Sequence, residues 1–191
     1  MKEIGLKVII DCAHGAHFGI NKRLPKSLAS LGDYVVLSAH KTLPALTQGA
    51  YLLVNEDNDI IDFYIKLFTT TSPSYLIMAS LDYARYYLDT YGKDDYDKLI
   101  NESEKWKKKI NKLGKVYILS ESDLDKHNDR IEGYKIDPSR YIVILPKGYN
   151  GHKFLDYLRD NKIQAEMSFS RGVVLILSPF NTEEAVSYTH L

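Results

Sequence analysis

The chain has 191 residues, of which 45% are hydrophobic and 26% are charged, a balance typical of a globular protein that buries a core. Basic and acidic residues both number 25, so the net charge is zero and no basic field favours nucleic acid or a membrane surface. Cys12 is the only cysteine, which excludes a disulfide within the chain and a CxxC metal site. No run of roughly 18 apolar residues could span a bilayer and no signal peptide is evident, so we expect a cytoplasmic protein.

The amino-terminal part of the chain predicts a parallel sheet. Residues 6–11, 34–38 and 49–54 are short apolar runs without polar alternation, the pattern of strands that are covered on both faces. Between the first two runs, Pro25 and Gly32 suit the first turn and the end of a short helix over residues 25–31. A parallel sheet that begins at residue 6 lacks earlier strands, so we expect a chain that is cut at its front.

Helices and then a change of pattern follow. Apolar residues at helical spacing predict helices over 60–68 and 74–91, the second ended by Gly92, and a lysine-rich helix over 93–113. After Gly114 the pattern predicts strands and one helix, which together are typical of a small α+β domain. The predicted strands cover residues 115–119, 140–145, 164–168 and 173–177, and the helix covers residues 151–161. We therefore expect an α/β large domain over residues 1–92 and a small α+β domain over residues 93–185.

The last six residues look unnatural. Residues 186–191, VSYTHL, can be encoded by a transposase adapter that is widely used in sequencing libraries. We expect them to be a read-through scar, and they are left out of the fold prediction.

Lys41 is the first candidate for chemistry. It follows a predicted buried strand, inside a loop rich in small and hydroxyl residues, over residues 38–50 with the sequence SAHKTLPALTQGA. An amine that attacks an aldehyde must be held in a partly desolvated site, where its pKa falls. A single lysine is far more often a surface charge, and it is the surrounding sequence that favours a Schiff-base lysine.

Several segments, in the same order along the chain, resemble motifs of the ornithine/lysine/arginine decarboxylase family. Residues 38–49 resemble its cofactor-attachment motif, S-x-H-K-T-L-P-A-L-T-Q-G, and residues 11–17 resemble D-E-A-H-G-A-H, with Cys12 in place of the usual glutamate. Residues 71–82 match T-S-P-S-Y and M-A-S-L-D, and residues 161–166 resemble an I-x-x-E element of the small domain. The resemblance implies a pyridoxal 5'-phosphate (PLP) enzyme with the α/β fold type I of aspartate aminotransferase, of which this chain is a partial large domain and the small domain.

The resemblance also implies roles for individual residues. Lys41 would form the Schiff base with PLP, and Asp11 would lie against the pyridine nitrogen and keep the ring protonated as an electron sink. Ala13 would lie against the ring face, where a larger side chain would displace the cofactor. The remaining implied cofactor residues are His14, Ser38 and His40, of which Ser38 and His40 match positions at the phosphate and beside the lysine.

Assembly and activity follow from the same resemblance. Thr71 and Ser72 match a segment that, in this fold, reaches the phosphate of the neighbouring subunit's cofactor, which implies at least a homodimer. The implied reaction converts ornithine, lysine or arginine to an amine of the polyamine type, and the residues that would select among the three lie partly outside this chain. The phosphate-gripping loop is expected upstream, so this chain alone is expected to be inactive.

Two alternatives remain open. Asp11, His14 and His17, together with His40, have the ligand types of a metal-dependent hydrolase, although the spacing alone is a weak signal. An aminotransferase of the same fold would need a small-domain arginine for the substrate carboxylate, and Arg171 is the nearest candidate. An ordinary surface position is the more common setting for such an arginine.

Overall fold

The computed structural model describes residues 5–56, 59–125 and 135–181. The expected adapter-derived residues 186–191 lie outside this range, as do residues 182–185 at the end of the expected small domain. The chain divides into two compact units. The first runs up to Lys22 and includes Lys26–Lys93, and the second comprises Arg23–Pro25 and the chain from Asp94 onward.

The first unit is built on a three-stranded sheet. Its strands are β1 (Ile9–Asp11), β2 (Tyr34–Leu37) and β3 (Tyr51–Val54), in the order β1-β2-β3. All three predicted strands form. β1 and β2 are parallel, but β3 is antiparallel to β2, with Leu37 opposite Tyr51. The direction of β3 differs from the expected parallel one. The segment after β2 folds back on itself, so that β3 starts at the edge of the sheet at which β2 ends.

The prediction that these strands are covered on both faces is wrong for most of one face. In the strand register, Ile9, Val36, Leu52 and Val54 share a face, and they are 71%, 37%, 44% and 40% exposed. Val35, on the opposite face, is fully buried. Tyr34 lies on the same face as Ile9 and is buried, so the described residues cover that face at Tyr34 and leave these other apolar side chains exposed.

The helices follow the predicted spacing, with two differences. α1 (Ala39–Thr42) is a single turn after β2, and it precedes α2 (Asp59–Phe68), α3 (Tyr75–Tyr87) and α4 (Lys93–Lys112). Gly92 does not end a helix; it closes a π-helical turn, Leu88–Gly92, between α3 and α4. A Cβ at Gly92 would lie 3.0 Å from Cγ2 of Ile20, so this glycine permits a close approach rather than a stop.

No helix forms over residues 25–31. Ser27 accepts a hydrogen bond from the backbone N–H of Ala29 through its hydroxyl oxygen at 3.2 Å, and Leu31 donates to the carbonyl of Leu28 at 3.0 Å. Serine competes with helical bonding through such local contacts, and the segment stops at one turn.

The second unit contains a four-stranded antiparallel sheet, and each predicted strand and helix after Gly114 is present. The elements are β4 (Tyr117–Ile118), α5 (Glu121–Asp125), β5 (Arg140–Ile144), α6 (Gly151–Asp160), β6 (Met167–Phe169) and β7 (Gly172–Ile176). The strand order is β4-β5-β7-β6. Apolar side chains of β5, β7 and α6 form its core, among them Tyr141, Val143, Leu155, Leu158 and Val173. No described helix is long and apolar enough to cross a membrane.

Gly151 determines how closely α6 packs on the β6–β7 hairpin. A Cβ there would lie 2.0 Å from the carbonyl oxygen of Phe169 and 2.3 Å from that of Gly172. Both neighbours are backbone atoms of a paired hairpin, and they cannot yield as a flexible side chain would.

We expect Gly151→Ala to lower the free energy of unfolding by about 2–3 kcal/mol, because α6 must shift away from the hairpin. Chemical denaturation measures the loss. Lys153→Ala, at an exposed position on the same helix, is the control and should change stability by less than about 0.5 kcal/mol. Equal stabilities for the two variants would contradict the close packing described here.

Candidate cofactor site

The parallel pairing of β1 with β2 brings the predicted site segments to one edge of the sheet. Asp11 is the last residue of β1, and Ser38 follows the last residue of β2. Parallel strands end at the same edge, so Asp11 and the segment from Ser38 to Lys41 share it. β3 starts at this edge as well, because Tyr51 pairs with Leu37.

His40 closes the segment that carries Lys41, which we call the lysine loop (residues 38–49). The ring Nδ1 of His40 lies 2.9 Å from the carbonyl oxygen of Gly49, and the backbone N–H of His40 donates to the same oxygen at 3.1 Å. A carbonyl oxygen can only accept, so Nδ1 carries the proton and donates. Half-buried His40 is thereby oriented by the loop that it closes, and its other nitrogen, Nε2, is left for a ligand.

Gly49 is closely packed where the lysine loop meets α3. A Cβ at this position would lie 3.0 Å from both the carbonyl oxygen of Leu46 and Cδ2 of Leu81. The preceding residue, Gln48, has a φ of 77°, a left-handed conformation that few residues adopt. The loop therefore turns tightly at Gln48-Gly49 before β3 begins.

Lys41 lies in the single turn of α1 with its side chain exposed. Its backbone N–H donates to the carbonyl of Ser38 at 3.2 Å, but its side-chain amine makes no hydrogen bond or ion pair with any described residue. The expectation of a partly desolvated amine is therefore not met by the described residues. The turn itself is anchored by Ala39, which is fully buried against Leu43 and Ala84.

Asp11 and Ala13 form a small turn at the end of β1. One carboxylate oxygen of Asp11, Oδ1, accepts the backbone N–H of Ala13 at 3.0 Å. Oδ2 has no hydrogen-bond partner among the described residues. Asp11 is exposed rather than buried, contrary to its predicted position at the end of a buried run. The turn fixes the direction of the carboxylate and leaves one oxygen for a cationic group.

Cys12 is buried at 6% exposure, and its backbone N–H donates to the carbonyl of Val36 at 2.9 Å. Burial raises the pKa of its thiol above the ordinary value, and the charge of Asp11 adds to the rise. A raised pKa and burial make Cys12 a weaker nucleophile than an exposed cysteine.

The histidines of the segment after β1 lie in different environments. His14 is exposed, whereas His17 is 1% exposed and packs edge-on against Phe18 with ring centroids 4.9 Å apart. Within the described ranges, no three His, Cys, Asp or Glu side chains lie close enough together to hold a metal ion. The metal-hydrolase alternative therefore has no ligand set in that part of the chain.

Thr71 and Ser72 precede α3 and are exposed. The backbone N–H of Ser72 donates to the hydroxyl of Thr70 at 3.1 Å. α3 begins at Tyr75 with Ser74 as its N-cap residue, and the hydroxyl of Ser74 makes no capping bond. Pro73 lies before the helix, and the hydroxyl groups of residues 71 and 72 are not used to cap α3.

The M-A-S-L-D segment contributes two contacts that the sequence did not predict. The hydroxyl of Ser80 accepts the backbone N–H of Leu46 at 3.1 Å, and Tyr51 donates through its hydroxyl to the carbonyl of Leu81 at 2.6 Å. Helical periodicity marks Leu81 as an inward residue and gives no role to a serine beside it. The match of this segment to the M-A-S-L-D motif was the one sequence feature that could have pointed to Ser80.

An apolar cavity of about 340 Å³ lies beside these contacts. Leucine side chains line it, together with Tyr51 and the exposed Asp82–Arg85 ion pair, whose atoms are 3.1 Å apart. Burial, followed by the charge of Asp82, raises the pKa of Tyr51. Neither Lys41 nor Asp11 lines this cavity, so it is not where the proposed chemistry would take place.

The residues at the sheet edge suit a phosphorylated pyridine aldehyde such as PLP. Lys41 offers an amine without a described partner, and Asp11 offers a carboxylate oxygen to a pyridinium. Ala13, on the turn that follows Asp11, has only a methyl side chain and so would not crowd a cofactor ring. The donor set therefore fits the cofactor that the sequence motifs imply.

The fold and this edge define an α/β protein with a lysine and a carboxylate at the carboxyl ends of adjacent parallel strands. Residues 1–185 match the sequence profile of the Orn/Lys/Arg decarboxylase major domain. The chain belongs to the Orn/Lys/Arg decarboxylase family.

Two sequence relatives agree with this assignment, and one solved structure shares the fold. An arginine decarboxylase of Halalkalibacterium halodurans is 32% identical over 182 residues, which cover 92% of this chain and 36% of that protein. An arginine decarboxylase of Bacillus subtilis is 29% identical over 182 residues, with the same coverage of both chains. The crystal structure of the Francisella novicida lysine decarboxylase superposes with a TM-score of 0.77 at 19% identity, over 94% of this chain and 31% of that one. The chain thus spans about a third of the length of these relatives.

Proposed function

We propose that the complete protein containing this chain is a PLP-dependent decarboxylase of ornithine, lysine or arginine. The observation that carries the proposal is the arrangement of Lys41 and Asp11 at one edge of the sheet, with Lys41 on a loop that His40 closes. The relatives named arginine decarboxylase make arginine the first substrate to test. The first unit would then be the carboxy-terminal part of the PLP-binding domain, and the second the small domain.

In this proposal each residue has a chemical task. When bound, PLP supplies an electron sink for the electron pair that remains on the substrate carbon after CO₂ leaves. The amine of Lys41 attaches the cofactor. Asp11 holds a proton on the pyridine nitrogen, and the turn to Ala13 keeps the carboxylate in place and the ring face uncrowded.

The phosphate end of the cofactor would be held by Ser38 and His40, and His14 is proposed as a further cofactor-binding residue. His40 commits Nδ1 to Gly49, so it meets the phosphate through Nε2, as a donor when the ring is protonated. Ser38 precedes α1, and its hydroxyl makes no capping bond to that turn. It therefore remains available to a ligand.

Thr71 and Ser72 are proposed to contact the cofactor phosphate of a partner subunit. Both are exposed and neither is used as a cap. Cofactor binding and dimerisation would then be coupled, because a phosphate held by two subunits stabilises the pair.

An aminotransferase reaction would require Arg171 at the substrate carboxylate. Arg171 is exposed at the turn between β6 and β7, and its carbonyl accepts the backbone N–H of Leu145 at 2.8 Å. That contact uses only the backbone, and it is the relatives named arginine decarboxylase that favour the decarboxylase reaction. Release of CO₂ without formation of a keto acid distinguishes the two.

Lys41→Ala should remove both covalent PLP attachment and decarboxylation in the complete protein, because Lys41 is the one lysine of the lysine loop. Borohydride reduction followed by peptide mass analysis measures attachment, and CO₂ release from the three amino acids measures activity. Lys26→Ala, at another exposed lysine, is the control and should retain both. PLP fixed to the Lys41→Ala protein would refute the assignment.

Asp11→Asn should leave PLP attached and slow turnover by about 10²- to 10³-fold. The asparagine oxygen can still accept the N–H of Ala13, so the substitution removes the charge and keeps the turn. Asp62→Asn, at an exposed position on α2, controls for the lost charge. Turnover close to that of the unsubstituted protein would show that Asp11 does not hold the pyridinium proton.

Replacing Thr71 and Ser72 together with alanine should weaken PLP affinity by about tenfold, since two hydroxyl donors to a phosphate are lost. Removal of PLP should also weaken the dimer of the unsubstituted protein. PLP titration and sedimentation of both forms measure these effects, with Thr90→Ala as the control. If affinity and dimer constant are both unchanged, the segment has no role at the phosphate.

A further inference from the structure

We propose that Ser80 is a positioning residue, which holds the lysine loop on α3 and thereby sets where Lys41 meets its cofactor. The inference rests on the function proposed above and assigns a role to the M-A-S-L-D segment, to which that function gives none.

The hydroxyl of Ser80 has a fixed orientation. It donates to the carbonyl of Ile77 at 2.7 Å, within its own helix, and accepts the backbone N–H of Leu46 at 3.1 Å. A hydroxyl has a single hydrogen, so the bond to Ile77 directs its lone pairs toward Leu46. The amide of Leu46 lies in an otherwise exposed part of the lysine loop.

Leu81 extends this attachment to the end of the loop. Its carbonyl accepts the hydroxyl of Tyr51 at 2.6 Å, and its side chain lies against Gly49, where a Cβ would approach Cδ2 to 3.0 Å. Two consecutive residues of α3 therefore hold the lysine loop at Leu46, at Gly49 and at the first residue of β3.

These attachments determine the position of Lys41, because no described residue orients its side chain through a polar contact. Its amine is exposed and makes no described polar contact, so its location follows from the backbone of the loop. Misplacement of a reacting group by about 1 Å can slow a reaction about 10²-fold. A lysine loop that is fixed to α3 therefore restricts the positions that the amine of Lys41 can occupy.

The test compares three variants of the complete protein. Ser80→Ala removes the hydroxyl, and Ser80→Thr retains one that can bond the preceding helical turn. Thr69→Ala is the matched control, because Thr69, directly after the end of α2, donates through its hydroxyl to the carbonyl of Ile65 in that helix at 2.6 Å and makes no described contact with the lysine loop.

Two measurements apply to each variant. In the cofactor-free protein, amide hydrogen exchange at Leu46 should be about five- to tenfold faster in Ser80→Ala, as expected for the loss of one hydrogen bond. The rate at which PLP becomes fixed to Lys41, trapped by borohydride, should fall about tenfold in the same variant. Ser80→Thr should restore both quantities, and Thr69→Ala should change neither.

The outcomes separate this inference from the proposed function. If the unsubstituted protein fixes no PLP at Lys41, the proposed function fails and this role fails with it. If PLP is fixed and Ser80→Ala leaves the attachment rate unchanged, the inference is overturned, whatever the exchange at Leu46. Equal effects of Ser80→Ala and Thr69→Ala would also overturn it, because they would reflect helix stability alone.

Discussion

The carbonyl oxygen of Gly49 accepts two hydrogen bonds from His40, one from the ring and one from the backbone. This bifurcated contact converts the segment after β2 into a closed loop. It accounts for the return of the chain to the edge at which β2 ends and for the antiparallel direction of β3, whereas the parallel pairing of β1 with β2 brings the segment that carries Lys41 to the same edge as Asp11. It also fixes the histidine tautomer. One acceptor atom thus links the topology of the sheet to the chemistry proposed at its edge.

Much of the site could be predicted because its residues come in short, ordered motifs. The parallel pair β1 and β2 was evident from two apolar runs, and it is sufficient to bring Asp11 and Lys41 to one edge. The roles of individual residues at a cofactor stay predictions. The direction of β3 could not be predicted, since an apolar run does not encode which neighbour it pairs with or in which sense.

Which side chains are buried was harder to predict from the sequence than where the helices and strands lie. Hydrophobic periodicity states which side of an element favours burial, but not what covers it. α2 illustrates this, because its apolar stripe is regular and yet exposed; its members are Ile60, Phe63, Tyr64, Leu67 and Phe68. The same reasoning explains the exposed face of the sheet. Ser80 was missed for a related reason, since a small polar residue on a helix carries no periodic signal even when its hydroxyl fastens a loop.

The closure of the lysine loop has a consequence for the order of folding. His40 and Gly49 are nine residues apart, and closing so short a loop sacrifices little chain entropy. β2, the loop and β3 are contiguous in sequence, and contacts between near neighbours form faster than those that join distant segments. The part of the chain that carries Lys41 can therefore take shape early, before α3 docks at Leu46. Substitutions in this hairpin would then alter the folding rate more than the unfolding rate.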